Sequence, residues 1–303
     1  MIKNKSFLWK KYLLRAFAAV FLTMSLALAS FHMLAPRMLL HPTKRLCQVD
    51  YDPTKFQATA LNGFDDIILQ GYESMRGDSS KGTLILLHGI GGCARSMLGL
   101  SEILRKAGYN SIALDNRAHG RSGGEYCTYG YYEKYDVKAI VDYILEQYPD
   151  EYVGIWGNSL GGAIAIQALE LDERIQFGII ESTFSDFRTI VLDYKKRLFG
   201  VRVPFLADYA IARASKIADF EAEAIRPMES VKEIEQPVFI AHGDKDQRID
   251  VSYGKTLFEN LNSAEKELLI VEGGRHSGLS RVVGEEYWKT IINFIEKTKR
   301  DEK

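Results

Sequence analysis

The sequence predicts an α/β protein: a doubly wound, mostly parallel sheet of about eight strands, with a helical lid insert and an N-terminal hydrophobic helix. Three observations lead there. Short apolar runs alternate with stretches of helical spacing, the pattern of a parallel sheet covered by helices on both faces. A basic start is followed by 21 residues, 16–36, without Asp, Glu, Lys or Arg. The alternation breaks once, over about 50 residues between positions 187 and 236, and an interruption of that size in such a fold is more often functional than idle.

The N-terminal element comes first. Residues 1–15 carry Lys3, Lys5, Lys10, Lys11 and Arg15 and no acid. At about 1.5 Å per residue the uncharged run that follows spans roughly 30 Å, the hydrocarbon thickness of a bilayer. Fewer basic residues follow the run (Arg37, Lys44, Arg45) than precede it, so the positive-inside rule puts the N-terminus in the cytoplasm and the remainder across the membrane. Residues 1–36 are thus read as a signal-anchor or transmembrane segment, and 37–303 as one globular domain. A rival reading is a cleaved signal peptide, because Ala27-Leu28-Ala29 before Ser30 is an acceptable cleavage site. Both readings place the globular part outside the cytoplasm. His32 and His41, in or beside this segment, read as structural or interfacial.

In the domain, residues 59–72, with Ile67 and Leu69 alternating, suggest an antiparallel entry hairpin. Buried strands are expected at 84–87, 112–114, 152–156, 177–180, 238–241 and 268–271, and helices at 97–106, 133–148, 161–171, 254–261 and 285–297. The lid insert is placed at about 188–236. Composition agrees with a globular domain: of 303 residues, 46% are hydrophobic and 26% charged. A net charge of −1 argues against nucleic acid as a partner. Seven prolines and three cysteines exclude a proline-rich linker and a disulfide scaffold. Cys93 and Cys127 read as core or loop thiols.

Two motifs compete after the first buried strand. Gly89-Ile90-Gly91-Gly92-Cys93-Ala94 fits G-x-G-x-x-A, and Asp115 ends the next strand 21 residues on. That is a dinucleotide-binding pattern, with glycines admitting a pyrophosphate at a helix N-terminus. Read one residue earlier, His88-Gly89-Ile90-Gly91-Gly92 is a turn that aims backbone N–H groups at a developing oxyanion. The same turn geometry serves both.

The rest of the chain favours the second reading. Gly157-Asn158-Ser159-Leu160-Gly161 is G-x-S-x-G between a strand and a helix. A bare match is weak. In this context it exposes a serine hydroxyl on a strained turn. A serine needs a base, and the base an orienter. Only His242 and His276 follow Ser159. His276 lies in a loop past the last strand, from which it can reach a hydroxyl, whereas His242 sits at the end of its own strand and reads as a loop support. Among the acids, Asp246 lies on the turn after a strand, positioned to meet the imidazole from behind. Asp244 and Asp250 read as turn or capping residues, and Glu181 is a distant fallback.

Four motifs, HGIGG (88–92), DNRAHGRSGG (115–124), GNSLGG (157–162) and HGDKD (242–246), followed by His276, make the chain resemble an α/β-hydrolase-fold serine hydrolase of the esterase, lipase and acyl-peptidase-like branch. The family's order of nucleophile, acid and base agrees with Ser159, Asp246 and His276. The resemblance implies an oxyanion hole from the backbone N–H groups of Ile90 and Leu160, and a structural role for Asp115, Arg117 and His119. Ala118 stands where the family's element has glycine, and Asn158 where relatives often have His. It further implies an acyl-enzyme mechanism on ester bonds without metal or cofactor, on a small-molecule or lipid-like acyl substrate. Peptidase or thioesterase chemistry on the same residues is the alternative, followed by a non-catalytic binding protein or a dinucleotide-binding protein. The insert carries Leu192, Tyr194, Leu198, Phe199, Val201, Val203, Pro204 and Phe205 among Lys195, Lys196, Arg197 and Arg202. It reads as a lid packed on the core with a solvated basic face, over a site for short- to medium-chain acyl esters.

Overall fold

The computed structural model describes residues 3–44, 47, 50–75, 80–200 and 203–301. Arg45, Val201 and Arg202 lie outside them, as do the side chains of residues 195–199 in the lid.

Helix α1 (Lys3–Leu40) precedes the hairpin strands β1 (Phe56–Asn62) and β2 (Ile68–Ser74). The alternating core follows: β3 (Thr83–Leu87), α2 (Leu98–Lys106), β4 (Asn110–Leu114), α3 (Glu133–Gln147), β5 (Val153–Asn158), α4 (Leu160–Leu171) and β6 (Phe177–Glu181). The lid is α5 (Phe187–Phe199), α6 (Pro204–Ala218) and the short α7 (Pro227–Ser230). The chain then returns to the sheet through β7 (Val238–Gly243), α8 (Val251–Asn260), β8 (Lys266–Val271), α9 (Leu279–Val283) and α10 (Glu285–Asp301).

The eight strands form one sheet in the order β1-β2-β4-β3-β5-β6-β7-β8. β1 and β2 are antiparallel at one edge, with Thr59 opposite Gly71, and β2 is antiparallel to β4. The remaining pairs are parallel. Every residue of β3, β4 and β7 is buried. Strands covered on both faces read as continuous apolar runs, which is why they were legible without alternation. One apolar cluster joins the sheet to α3, α4, α8 and the lid, through Ile140, Ile164, Leu257 and Ile211. The other joins it to α2 and α10, through Leu104, Ile291 and Phe294. β3 is flanked by β4 on one side and β5 on the other. The chain reverses its direction of winding there, so the loops after β3 and β5 diverge and leave a crevice at the carboxyl ends of the strands.

Helix α1 continues four residues past the expected limit at Pro36. Its last turn is capped by the domain: the Cys127 N–H donates to the Leu40 carbonyl at 2.9 Å and the Tyr129 hydroxyl to the Leu39 carbonyl at 2.8 Å. Leu40 is fully buried. By length and composition this helix is long and apolar enough to cross a membrane, with a mean hydropathy of 1.8 over its most apolar window. In the lid, Ile190, Val191, Ala207 and Ile211 are buried against the core and Leu192 and Tyr194 partly so, while Phe205 faces outward.

One expectation is corrected. Cys93 is not a free thiol: it forms a disulfide with Cys47, closing the segment after α1 onto the loop after β3. The pairing joins residues 46 positions apart, a separation that no local pattern announces. Cys127 is a free, buried cysteine.

Candidate active site

The site is built from three loops at the carboxyl ends of β5, β7 and β8. Ser159 forms the turn between β5 and α4 at φ +56°, ψ −117°, a conformation that costs a non-glycine residue on the order of 1–3 kcal/mol. The surroundings hold it there. Its N–H donates to the Glu181 carbonyl at 2.8 Å, and its carbonyl accepts from the Thr183 hydroxyl at 2.6 Å and the Gly162 N–H at 3.0 Å. The flanking glycines are required by space. A Cβ on Gly157 would lie 2.2 Å from the Gly161 carbonyl oxygen, and one on Gly161 would lie 2.2 Å from that of Leu87.

The structure brings the three sequence-predicted residues together from 117 and 30 positions apart. Ser159 Oγ lies 3.1 Å from His276 Nε2, and His276 Nδ1 lies 2.7 Å from Asp246 Oδ2. All three are buried. With Asp246 ionised, Nδ1–H donates to the carboxylate and Nε2 is left to accept the serine proton. The other carboxylate oxygen, Oδ1, accepts the N–H groups of Arg248 (2.7 Å) and Ile249 (3.0 Å). Burial alone would raise the Asp246 carboxyl. The His242 and His276 hydrogen bonds, with the Ile249 N–H, outweigh it and hold the pKa well below the usual carboxylate range.

The competing residues are placed elsewhere. His242 Nε2 donates to the Ile249 carbonyl at 3.0 Å and lies 3.4 Å from Asp246, so it braces the turn that carries the acid. Asp244 accepts the Gly273 N–H, and Asp250 caps α8 through the Ser252 N–H. Glu181 is fully engaged by Trp156 Nε1 at 2.9 Å and the Tyr287 hydroxyl, and burial raises its carboxyl.

The turn after β3 lies against the serine: a Cβ on Gly89 would approach Ser159 Cβ to 3.1 Å. His88 supports this turn from below. Its Nδ1–H donates to the Gly89 carbonyl at 2.8 Å, and its Nε2 accepts the Asn116 N–H at 3.1 Å. Burial, with His119 adjacent, pushes the His88 pKa down to about 3, so the ring is neutral. Ile90 and Leu160 line the same cavity as Ser159. The Leu160 N–H stands in the first turn of α4, where helix N–H groups have no acceptor within the helix. In the dinucleotide reading Asp115 would hold a ribose. Its carboxylate instead accepts the Ala94 and Arg121 N–H groups at 2.6 and 2.8 Å. Arg117 makes a two-pronged pair with Asp136 at 2.7 and 2.9 Å, and His119 Nδ1–H donates to the Arg117 carbonyl at 2.9 Å. Ala118, in place of the family's glycine, sits at φ +61°.

Two cavities flank the site, one lined by Ser159 and the other by His276. One, of about 460 Å³, is almost entirely apolar and is lined by Ser159, Leu160, Ile90, Tyr129 and the lid residues Ile190, Val191 and Tyr194. The other, of about 440 Å³, opens beyond His276 between Lys245, Arg248 and Arg275. Sequence reasoning missed that Phe31, Leu34, Ala35 and Met38 of α1 complete the wall of the apolar cavity. No signal was available for them, because every position of an apolar span looks alike. Among the described residues no cluster of three or more His, Cys, Asp or Glu has the arrangement to hold a metal ion.

Residues 82–231 match the family model for the alpha/beta hydrolase fold. The chain is 27% identical over 253 residues to the uncharacterized protein YqkD of Bacillus subtilis, covering 81% of this chain and 80% of that one. It is 28% identical over 200 residues to the lysophosphatidylserine lipase ABHD12 of Xenopus tropicalis, covering 63% of this chain but only 49% of the relative, about half its length. Among solved structures it is similar to the Pyrococcus furiosus esterase Pf2001, with a TM-score of 0.71 at 24% identity over 86% of this chain and 98% of that one. The strand order, the strained serine between β5 and α4 and the match over residues 82–231 together show that the chain has the α/β-hydrolase fold.

Proposed function

We propose that the protein is a serine hydrolase that cleaves carboxylic esters through an acyl-enzyme, with Ser159 as nucleophile, His276 as base and acid, and Asp246 as the orienting carboxylate. The observation that carries this reading is the hydrogen-bonded line from Asp246 through His276 to Ser159 Oγ, at 2.7 and 3.1 Å. The esterase and lipase named among the similar proteins support it.

In this mechanism His276 Nε2 takes the Ser159 proton as Oγ bonds to the acyl carbon. Asp246 holds the imidazole in the tautomer that accepts there and stabilises the imidazolium that forms. The Ile90 and Leu160 N–H groups face the oxygen that becomes an anion, a contribution of about 3 kcal/mol per donor. The bond to the leaving oxygen breaks, and His276 returns the proton to that oxygen. Water then enters, gives a proton to His276 and attacks the acyl-enzyme, and the carboxylic acid leaves as Ser159 is reprotonated. The acyl group occupies the apolar cavity, and the leaving group departs on the Lys245, Arg248 and Arg275 side. Neither an organic cofactor nor a metal takes part.

α1 anchors the protein in a membrane with the catalytic domain on the non-cytoplasmic side. The Cys47–Cys93 disulfide supports this, since such bonds persist in oxidising compartments. The decisive experiment is labelling of wild type and Ser159→Ala with a fluorophosphonate probe, followed by ester, thioester and peptide substrates. Wild type should label and hydrolyse esters, and Ser159→Ala should lose labelling and about 10⁴-fold or more in kcat. Labelling that persists in the variant removes Ser159 as nucleophile, and turnover of peptides alone removes the ester assignment.

A further inference from the structure

Helix α1 has two different surroundings along its length. From Trp9 to Ser30 it is almost entirely exposed, with Phe17, Phe21 and Leu28 each more than half accessible. From Phe31 to Leu40 it lies on the domain. Phe31 stacks on Tyr209 of α6, and His32 Nδ1 is hydrogen-bonded to the hydroxyl of that tyrosine. Pro36 and Leu40 are buried. A signal peptide or a simple tether has no need of such docking.

The uncharged run of α1 is residues 16–36, and about 20 residues are needed to cross the hydrocarbon core. Phe31, Leu34 and Ala35 therefore belong both to the span and to the wall of the cavity that holds Ser159. Leu34 and Met38 are exposed on one side while lining that cavity on the other. With residues 16–36 in the bilayer, the part of α1 that lines the apolar cavity stands at the outer edge of the hydrocarbon core.

Resting on the reading of Ser159 as an ester-cleaving nucleophile, we propose that the docked end of α1 is part of the acyl-binding site. The substrate is an ester with one long acyl chain, which slides from the lipid leaflet along Leu34, Ala35 and Met38 to Ser159 without crossing water. This proposal differs from the short- to medium-chain esters that the sequence suggests. A single chain is favoured because the cavity, of about 460 Å³, falls in the lower half of the roughly 300–1,000 Å³ range of ligand pockets.

The test uses the full chain in lipid nanodiscs and measures kcat/KM for nitrophenyl butyrate and nitrophenyl palmitate. Leu34→Trp and Ala35→Trp fill the proposed path, Met38→Ala widens it, and Val20→Trp alters only the lipid-facing part of the helix. The palmitate-to-butyrate ratio should fall about tenfold or more in both filling variants, a size that steric changes in acyl pockets reach. It should move in Met38→Ala, and it should stay within about twofold in Val20→Trp. Equal ratios across all four variants, or a wild type that turns over butyrate but not palmitate, would overturn the proposal. Fluorophosphonate labelling separates the two levels. Variants that label with unchanged ratios defeat the acyl path and leave the serine mechanism standing, whereas a wild type that does not label defeats the mechanism beneath it. Should a tryptophan variant fail to label, Met38→Ala alone decides, and an unchanged ratio there counts against the proposal.

Discussion

Two polar clusters stand at the carboxyl edge of the same sheet, and they differ in what they leave unsatisfied. The loop after β4 closes on itself. Asp115 accepts two backbone N–H groups, Arg117 and Asp136 pair in two-pronged fashion, and Asp136 also accepts the Phe64 N–H at 2.8 Å. The cluster of Ser159, His276 and Asp246 uses similar residue types but ends in a hydroxyl that faces a cavity of about 460 Å³. Chemistry is available where a chain of hydrogen bonds terminates on an empty volume, and rigidity where it terminates on the protein's own backbone. Buried polar groups of the second kind hold the loops from which the first kind is aimed.

The comparison is broken most sharply by removing one member from each cluster. Asp246→Asn should lower kcat on a nitrophenyl ester about 10⁴-fold, because the imidazole loses the partner that fixes its tautomer, and should lower the thermal midpoint as well, because the folded state favours the ionised carboxylate that the substitution removes. Asp136→Ala should act on stability alone. It strands the buried Arg117 guanidinium and should cost about 3–5 kcal/mol of stability in denaturant titration, while the folded fraction retains its turnover. If the first substitution unfolded the protein and the second abolished only turnover, the assignment of roles would be inverted.

A smaller effect concerns His88, which supports the turn bearing Ile90. The unfolded ring protonates near its ordinary 6.5, and the folded ring stays neutral down to about 3. The unfolded state therefore binds more protons over that window, and stability falls as pH drops through it. From His88 alone the loss between pH ~7.5 and ~5 should be about 2 kcal/mol. Asp136 acts in the opposite sense, since burial pushes its carboxyl up to about 6 against the Arg117 hydrogen bonds. The measure is accordingly the difference between wild type and His88→Gln. The wild type should lose about 2 kcal/mol more than the variant over that interval, and equal losses would show that the ring is not held neutral.

The smallest expected change is at Ala118, held at φ +61° inside the self-closed loop. Ala118→Gly relieves left-handed backbone strain of roughly 1–2 kcal/mol. It also gives up a buried methyl group and adds freedom to the unfolded chain, each worth about 0.5–1 kcal/mol. The net shift should lie within about 1 kcal/mol of zero by denaturant titration. A larger loss would mean that the methyl contact, and not the backbone turn, holds the loop.

The sequence by itself determined the sheet, its strands to within about two residues for most elements, and a long apolar N-terminal helix. Those features are written in local periodicity: fully buried strands must be apolar throughout, and a bilayer span must lack charge over a fixed length. It also singled out Ser159 and its G-x-S-x-G turn, because a strained strand-to-helix corner has a steric code of small residues that composition can display. The choice of Asp246 over Asp244 and Asp250 rested on turn position, and only the tertiary structure put the Asp246 carboxylate 2.7 Å from the imidazole. Two things had no local trace at all: the Cys47–Cys93 bond and the docking of α1 against the cavity of Ser159. Each is a contact between distant segments whose residue types would suit many other neighbours. Which neighbour is met depends on the winding of the sheet and on what the helix ends must bury, and only the folded chain decides that.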